Sequence, residues 1–481
     1  MVFSSLIFLY GFLPASLLVY FLCPSMKAKN VSLLVFSLIF YAWGEPKYVI
    51  LLAFMALADW FFALRVEEKR KCGGRGKGWL AGACIVDLGL LAFFKYSGMI
   101  CSVFSQVPAF VEKIALPIGI SFYTFQLLTY VIDVYRGEAR AQKKYWHVLL
   151  YASLFHQCIA GPIVRYQTVE RELFTERNCS DLPAGVQRFS VGLAKKVLLA
   201  NPCGSLADRY LLADSVLADV SAAAENLQML STQPALGSWL GIAAFSLQIY
   251  FDFSAYSDMA IGMGKMLGLH YLENFNYPYV SRTVGEFWRR WHISLGSFFR
   301  DYVYIPLGGN RRGAARTFFN LLAVWALTGL WHGASWNFVL WGLYFFVFLA
   351  LERLFLGKWM SSDSAIGKIV SHIYLPIVVL FGWILFKYSD LKLVGVFLRS
   401  LFGGNGNAAV SFESVTELKS HIFLLAFCIP SATPVFRSIG RAWAAKGEES
   451  LFMEKSYQAF AYGILPVILL LLSTAGLVGN L

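Results

Sequence analysis

Long apolar runs alternate with short polar connections over almost the whole chain. A helix needs roughly 20 apolar residues to cross the hydrocarbon core of a bilayer. Runs that approach this length occupy residues 2–23, 31–43, 48–64, 79–94, 114–134, 236–253, 318–330, 338–351, 369–385 and 459–477. Weaker ones occupy residues 147–159, 186–199 and 422–429. Several cores are short and must borrow flanking residues. The pattern predicts an all-α polytopic membrane protein with about 11 transmembrane helices, and one or two further segments that are re-entrant or lie in the interface.

The polar punctuation orients the first spans, because Lys and Arg concentrate in loops on the cytoplasmic side. Lys27 and Lys29 place the first connection inside, and Lys69, Arg70, Lys71, Arg75 and Lys77 place the third inside. Arg136, Arg140, Lys143 and Lys144 are inside again, which puts the N-terminus outside. No cation precedes residues 2–23, so this run reads as a retained span rather than a cleavable signal. The stretch 403–417, with Gly403, Gly404, Asn405, Gly406 and Asn407, reads as an extended loop. Repeats and linkers are not evident, so residues 1–481 are expected to form a single membrane-embedded domain with its chemistry around residues 236–350.

Composition strengthens the membrane reading. Hydrophobic residues make up 58% of the chain and charged ones 15%, against about 25% charged in soluble proteins. The net charge of +12 does not point to nucleic acid, because the cations lie largely in short loops between apolar runs. The eight cysteines show no CxxC pair and no zinc spacing, and they read as structural. There is no HExxH, no GxSxG and no phosphate loop, which disfavours metal chemistry and a serine-hydrolase triad.

Ionisable residues within apolar segments are expensive, so each is a candidate for function. Three clusters stand out. The first is Gln248-Ile-Tyr-Phe-Asp252-Phe-Ser-Ala-Tyr-Ser-Asp258. Six residues separate the two carboxylates, which places them on different faces of a helix and argues against an acid/base dyad. A structural role, each carboxylate tying a broken helix to an Arg, is the competing reading. The second is Glu286-Phe-Trp-Arg289-Arg290-Trp-His292, within a basic stretch from Arg282 to Arg316 that holds seven Arg and two acids and faces the cytoplasm. Arg289 and Arg290 suit the phosphates of a nucleotide-bearing or phosphopantetheine donor, or equally those of membrane lipids. The third is Leu327-Thr-Gly-Leu-Trp331-His332-Gly333-Ala-Ser335-Trp-Asn337, where a histidine sits between two short apolar runs and Gly329 and Gly333 permit close helix approach or a break. His156 is held in reserve, and the remaining histidines sit near the ends of apolar runs.

At these residues the chain resembles the membrane-bound O-acyltransferase superfamily, in its bacterial alginate O-acetyltransferase branch. The matching text is the opening Met-Val-Phe-Ser-Ser, Leu116-Pro-Ile-Gly-Ile-Ser-Phe-Tyr-Thr-Phe-Gln126, Ile132-Asp-Val-Tyr-Arg136, Ala160-Gly-Pro-Ile-Val-Arg165-Tyr, Asp252-Phe-Ser-Ala-Tyr-Ser-Asp258, Phe287-Trp-Arg-Arg-Trp-His292 and Trp331-His332-Gly333. The resemblance implies that His332 is the invariant family histidine and that His292 matches a second, more variable position. It also implies a thioester donor, acetyl-CoA or a carrier-bound acyl group, reached from the cytoplasm, and an acceptor reached from outside. Similar proteins work beside an SGNH-type extracytoplasmic protein in acetylating a cell-surface polysaccharide, and they reside in the bacterial cytoplasmic membrane. No metal is implied.

Acyl transfer to a hydroxyl needs a base and oxyanion donors. His332 can act as base or, less economically, as a nucleophile. Asn337, Ser335, Trp331 or Trp336 can hold the oxyanion, and Asp252 or Asp258 can orient the imidazole. D-alanyl transfer toward teichoic acid and peptidoglycan O-acetylation are the alternatives within the enzyme class. A polysaccharide or lipid transporter is the alternative outside it.

Overall fold

The computed structural model describes residues 1–104, 108, 111, 113–159, 161–360, 364–447 and 450–479. Ala160, which opens one of the motifs, lies outside the described residues. Among those residues the chain is helical without a strand. Among the described residues five helices are long and apolar enough to cross a membrane: Pro46–Lys71, Lys77–Val103, Trp336–Leu356, Ala365–Lys387 and Leu451–Gly479. Two bent pairs raise this to seven if each is one span. The pattern of apolar runs counts more because several helices are short or carry polar residues. Phe8–Leu22 is short, Ile120–Arg136 has 17 residues, and Ala314–His332 carries Arg316, Asn320 and Thr328.

The chain divides into two compact units. The first comprises Met1–Leu193, Tyr256–Asn274 and Leu465–Leu481. Its first long helix, Met26–Gly44, starts where Ser25 accepts a hydrogen bond from the Ala28 N–H, satisfying one of the donors a helix start leaves free. Phe8, Phe12, Phe40 and Phe155 pack against one another at ring separations of 5.4–6.4 Å. Arg177 donates to Asn30 (2.6 Å) and Tyr20 (3.1 Å), and Tyr20 donates to the Leu267 carbonyl (2.8 Å). Asp59 and Asp87, on neighbouring helices, are both fully buried, and their oxygens have no donor.

The second unit comprises Ala194–Ala255 and Phe275–Ile464. Its core is unusually aromatic: Tyr250, Phe251, Phe287, Trp291, Trp325, Trp341, Phe345 and Trp383 are all buried. The stretch 403–417, expected as one extended loop, is non-helical only as far as Ser411. The Phe412–Ser420 helix begins there because Ser411 and Ser414 form a reciprocal capping box. The helix expected to end near Phe253 instead runs unbroken as Ala235–Met266. Its polar side chains find partners rather than ending it.

A histidine and tryptophan nest as the candidate active site

The centre of the second unit is a helical hairpin, Ala314–His332 followed by Trp336–Leu351. Glycines set its closeness. A Cβ on Gly329 would lie 2.3 Å from the Phe338 carbonyl oxygen, and one on Gly342 would lie 2.3 Å from that of Trp325. Only hydrogen fits at either position, so the two backbones touch. His332 is the last residue of the first helix, and Gly333 turns the chain out in an extended conformation. The imidazole is half-buried among rings: Trp331 and Trp341 at 4.9 Å, Phe386 at 5.2 Å and Phe338 at 6.5 Å between centroids.

His292 arrives from another part of the chain. It joins two short helices, Val284–Arg290 and Ile293–Phe299, with φ 46° and ψ 54°. A non-glycine residue in this left-handed region is uncommon and is held there by its surroundings. Its ring is buried against Phe253 (4.6 Å) and Trp331 (5.6 Å). Trp331 therefore touches both histidines. Burial first, and the neighbouring His332 imidazole second, hold the pKa of His292 well below the ordinary histidine value. Its Nε2 is buried without a hydrogen-bond partner.

The Val284–Arg290 helix is tied down at its start. Thr283 accepts from the Glu286 N–H at 3.0 Å. Glu352, at the end of the hairpin's second helix, accepts from the N–H groups of Val284 (2.5 Å) and Gly285 (2.9 Å) and from Tyr374 (3.3 Å). One carboxylate thus joins the helix that leads into His292 to the helix that walls His332.

The other expected residues fall in several places. Asn337 is buried and donates to the Leu385 carbonyl at 3.1 Å, while its side-chain oxygen has no partner. Ser335 precedes the Trp336–Leu351 helix without capping it through its side chain. Trp336 is 58% exposed, and Arg289 is exposed as well. Arg290 binds Glu286 (2.9 Å) and the Asn276 carbonyl (3.2 Å). Asp252 pairs with Lys196 at 2.8 Å. In the first unit, Asp258 pairs with Arg188 at 2.6 Å, and Arg188 also binds Glu273 at 2.5 Å. His156, also there, is fully buried and bonded through Nδ1 to the Tyr271 hydroxyl at 2.9 Å. No group of three or more His, Cys, Asp or Glu able to hold a metal occurs among the described residues.

Sequence reasoning did not single out Trp341, Trp288, Phe386 or Glu352. Trp341 and Glu352 lie within or at the end of an apolar run, where a lipid-facing or interfacial place is the simpler expectation. Trp288 stood inside a motif read for its arginines and its histidine.

The model of the membrane-bound O-acyltransferase family matches residues 137–389, a stretch that includes both histidines. A probable alginate O-acetylase of Azotobacter vinelandii is 36% identical, over 89% of this chain and 84% of the relative. A peptidoglycan O-acetyltransferase of Helicobacter pylori is 30% identical, over 84% and 80%. A teichoic acid D-alanyltransferase of Bacillus subtilis is 28% identical, over 56% and 67%. The chain is an integral membrane protein and an acyltransferase, and it belongs to the membrane-bound O-acyltransferase family.

Proposed function

We propose that the protein carries an acetyl group from a cytoplasmic thioester to the far side of the bacterial cytoplasmic membrane, for O-acetylation of a cell-surface polysaccharide. The observation that carries this reading is the meeting of His332 and His292 at Trp331, whose ring touches both. The alginate O-acetylase relatives, similar over most of the chain, support acetyl as the group and a polysaccharide as the acceptor.

His332 is the base in this reading. It takes the proton of the acceptor hydroxyl as the oxygen attacks the thioester carbonyl, then returns a proton to the leaving thiolate. Covalent transfer through the imidazole is the less economical variant. His292, held neutral by burial and by its neighbour, is a second hydrogen-bonding group beside the reacting atoms. Asn337 and Ser335 lie close in sequence on the same turn. Asp252 and Asp258 act through the cations they bind. The donor is acetyl-CoA, or an acyl group on a carrier protein, with Arg289 and Arg290 on the side that meets its phosphates. An SGNH-type extracytoplasmic partner completes delivery, and the N-terminus lies outside.

The experiment is turnover of labelled acetyl-CoA by purified protein in lipid, with an isolated polysaccharide or a small hydroxyl acceptor. Transfer by the wild type and its loss in His332→Ala support the reading. Full transfer by both His332→Ala and His292→Ala overturns it. Turnover of a D-alanyl carrier protein without acetyl-CoA turnover favours the alternative that the teichoic acid D-alanyltransferase relatives suggest.

A further inference from the structure

We infer that the indole N–H of Trp341 is an oxyanion donor of the acyl-transfer site; the inference rests on the acyl-transfer reading above. Trp341 is fully buried, and its ring stands nearly perpendicular (76°) to that of His332 with 4.9 Å between centroids. Around it lie Trp288 at 5.4 Å, Phe345 at 5.3 Å and Phe386 at 5.5 Å. These rings offer no lone pair to a donor, and Trp341 Nε1 has no hydrogen-bond partner. Buried N–H groups without an acceptor are rare in folded proteins, and each one calls for an explanation.

The other tryptophans sharpen the point. Trp383, stacked with Trp341 at 6.4 Å, donates its N–H to the Tyr279 hydroxyl at 3.3 Å. Trp239 donates to the Leu401 carbonyl at 3.0 Å. The same unit supplies acceptors to these two indoles and leaves that of Trp341, beside His332, without one. Trp288, in ring contact with Trp341, also has a buried Nε1 without a partner.

The missing acceptor is the thioester carbonyl oxygen. As the hydroxyl oxygen bonds to the carbonyl carbon, the carbonyl π pair moves onto that oxygen and His332 takes the hydroxyl proton. The Trp341 N–H donates to the oxygen throughout and transfers nothing. Collapse re-forms the C=O bond and breaks the C–S bond, and the imidazolium proton passes to the sulfur. Because the oxygen becomes more negative on the way to the intermediate, the bond strengthens there, which speeds chemistry more than it tightens binding.

The test replaces Trp341 with β-(3-benzothienyl)alanine, which exchanges the N–H for sulfur and keeps the bicyclic shape. The expected result is a fall in kcat on the order of 10²-fold with KM little changed. The same replacement at Trp239 leaves kcat as in the wild type. A second measurement, affinity for a tetrahedral phosphonate analogue of the thioester, falls with kcat while affinity for the thioester itself holds. A Trp341 variant that melts like the wild type and keeps its kcat overturns the inference, and the N–H then faces only a neighbouring ring. A wild type that transfers no acyl group overturns the acyl-transfer reading and this inference with it.

Discussion

The Gln248–Asp258 stretch and the ring-walled surroundings of His332 are both polar intrusions into apolar sequence, and folding treats them in opposite ways. Each carboxylate of the first is matched by a cation, Asp252 by Lys196 and Asp258 by Arg188. In the second, neutral polar atoms are left open: His292 Nε2, Trp288 Nε1, Trp341 Nε1 and Asn337 Oδ1 are buried without partners. The difference follows from cost. An uncompensated buried charge is costly, and at these two positions a cation matches it. A neutral donor left open costs about 1–3 kcal/mol, which a marginally stable protein can carry where a substrate atom later fills the gap. Charge is matched within the Gln248–Asp258 stretch, and neutral polarity is left open around His332.

The strongest way to break that contrast is at His332. His332→Ala is expected to lower acyl transfer by about 10³-fold, the middle of the range for loss of a general base, in protein that still melts normally. Retained turnover would strip the nest of its role. Arg188→Met addresses the other side. It removes the guanidinium from buried Asp258, and is expected to cost about 3 kcal/mol, read as a lower melting temperature in detergent. Arg188→Met with Asp258→Leu recovers most of that loss. If turnover per folded molecule collapses in the double variant, the ion pair belongs to the chemistry after all.

Glu352→Ala sharpens the boundary between the two classes, since this carboxylate is matched by backbone N–H groups rather than by a cation. Removing it strands the donors of Val284 and Gly285, at about 1–3 kcal/mol. Because the Val284–Arg290 helix leads directly into His292, kcat is expected to drop more than KM changes.

The smallest effect concerns pH. His292 keeps a depressed pKa in the folded state, whereas the unfolded chain takes up a proton at the ordinary value near 6.5. Below that pH the unfolded state binds more protons, so stability falls as pH falls and rises as pH rises. His292→Gln is expected to flatten this slope between pH 7 and pH 5, measured by melting temperature.

Much of the fold was legible because burial in lipid leaves so plain a pattern. Close approach or a break around His332 was expected from two apolar runs and from Gly329 and Gly333; Gly329 does bring the backbones together, whereas Gly333 ends the helix against the Phe338 ring. His332, Trp331 and His292 were picked from their motifs, and the structure places them in contact. What stayed hidden is tertiary. Glu352 meets Val284 and Gly285 across 68 and 67 residues of chain, and no local pattern encodes that meeting. Lys196 lay inside the weaker apolar run 186–199 and was not singled out, yet it sits at the start of a π-helical turn, Lys195–Ala200, where it reaches Asp252. Trp341 has the neighbours in sequence of a lipid-facing residue, and only packing shows that it is enclosed.

The glycine contacts of the hairpin carry a consequence for how such a protein tolerates change. At Gly329 and Gly342 the obstruction is a main-chain carbonyl rather than a movable side chain, so even alanine must push two helices apart. A saturation scan scored by activity is then expected to leave both columns nearly empty, at positions whose own side chains carry no chemistry. Library design around this site is better spent on Phe386 and Phe338, whose rings border the imidazole and can change size without moving the main chain.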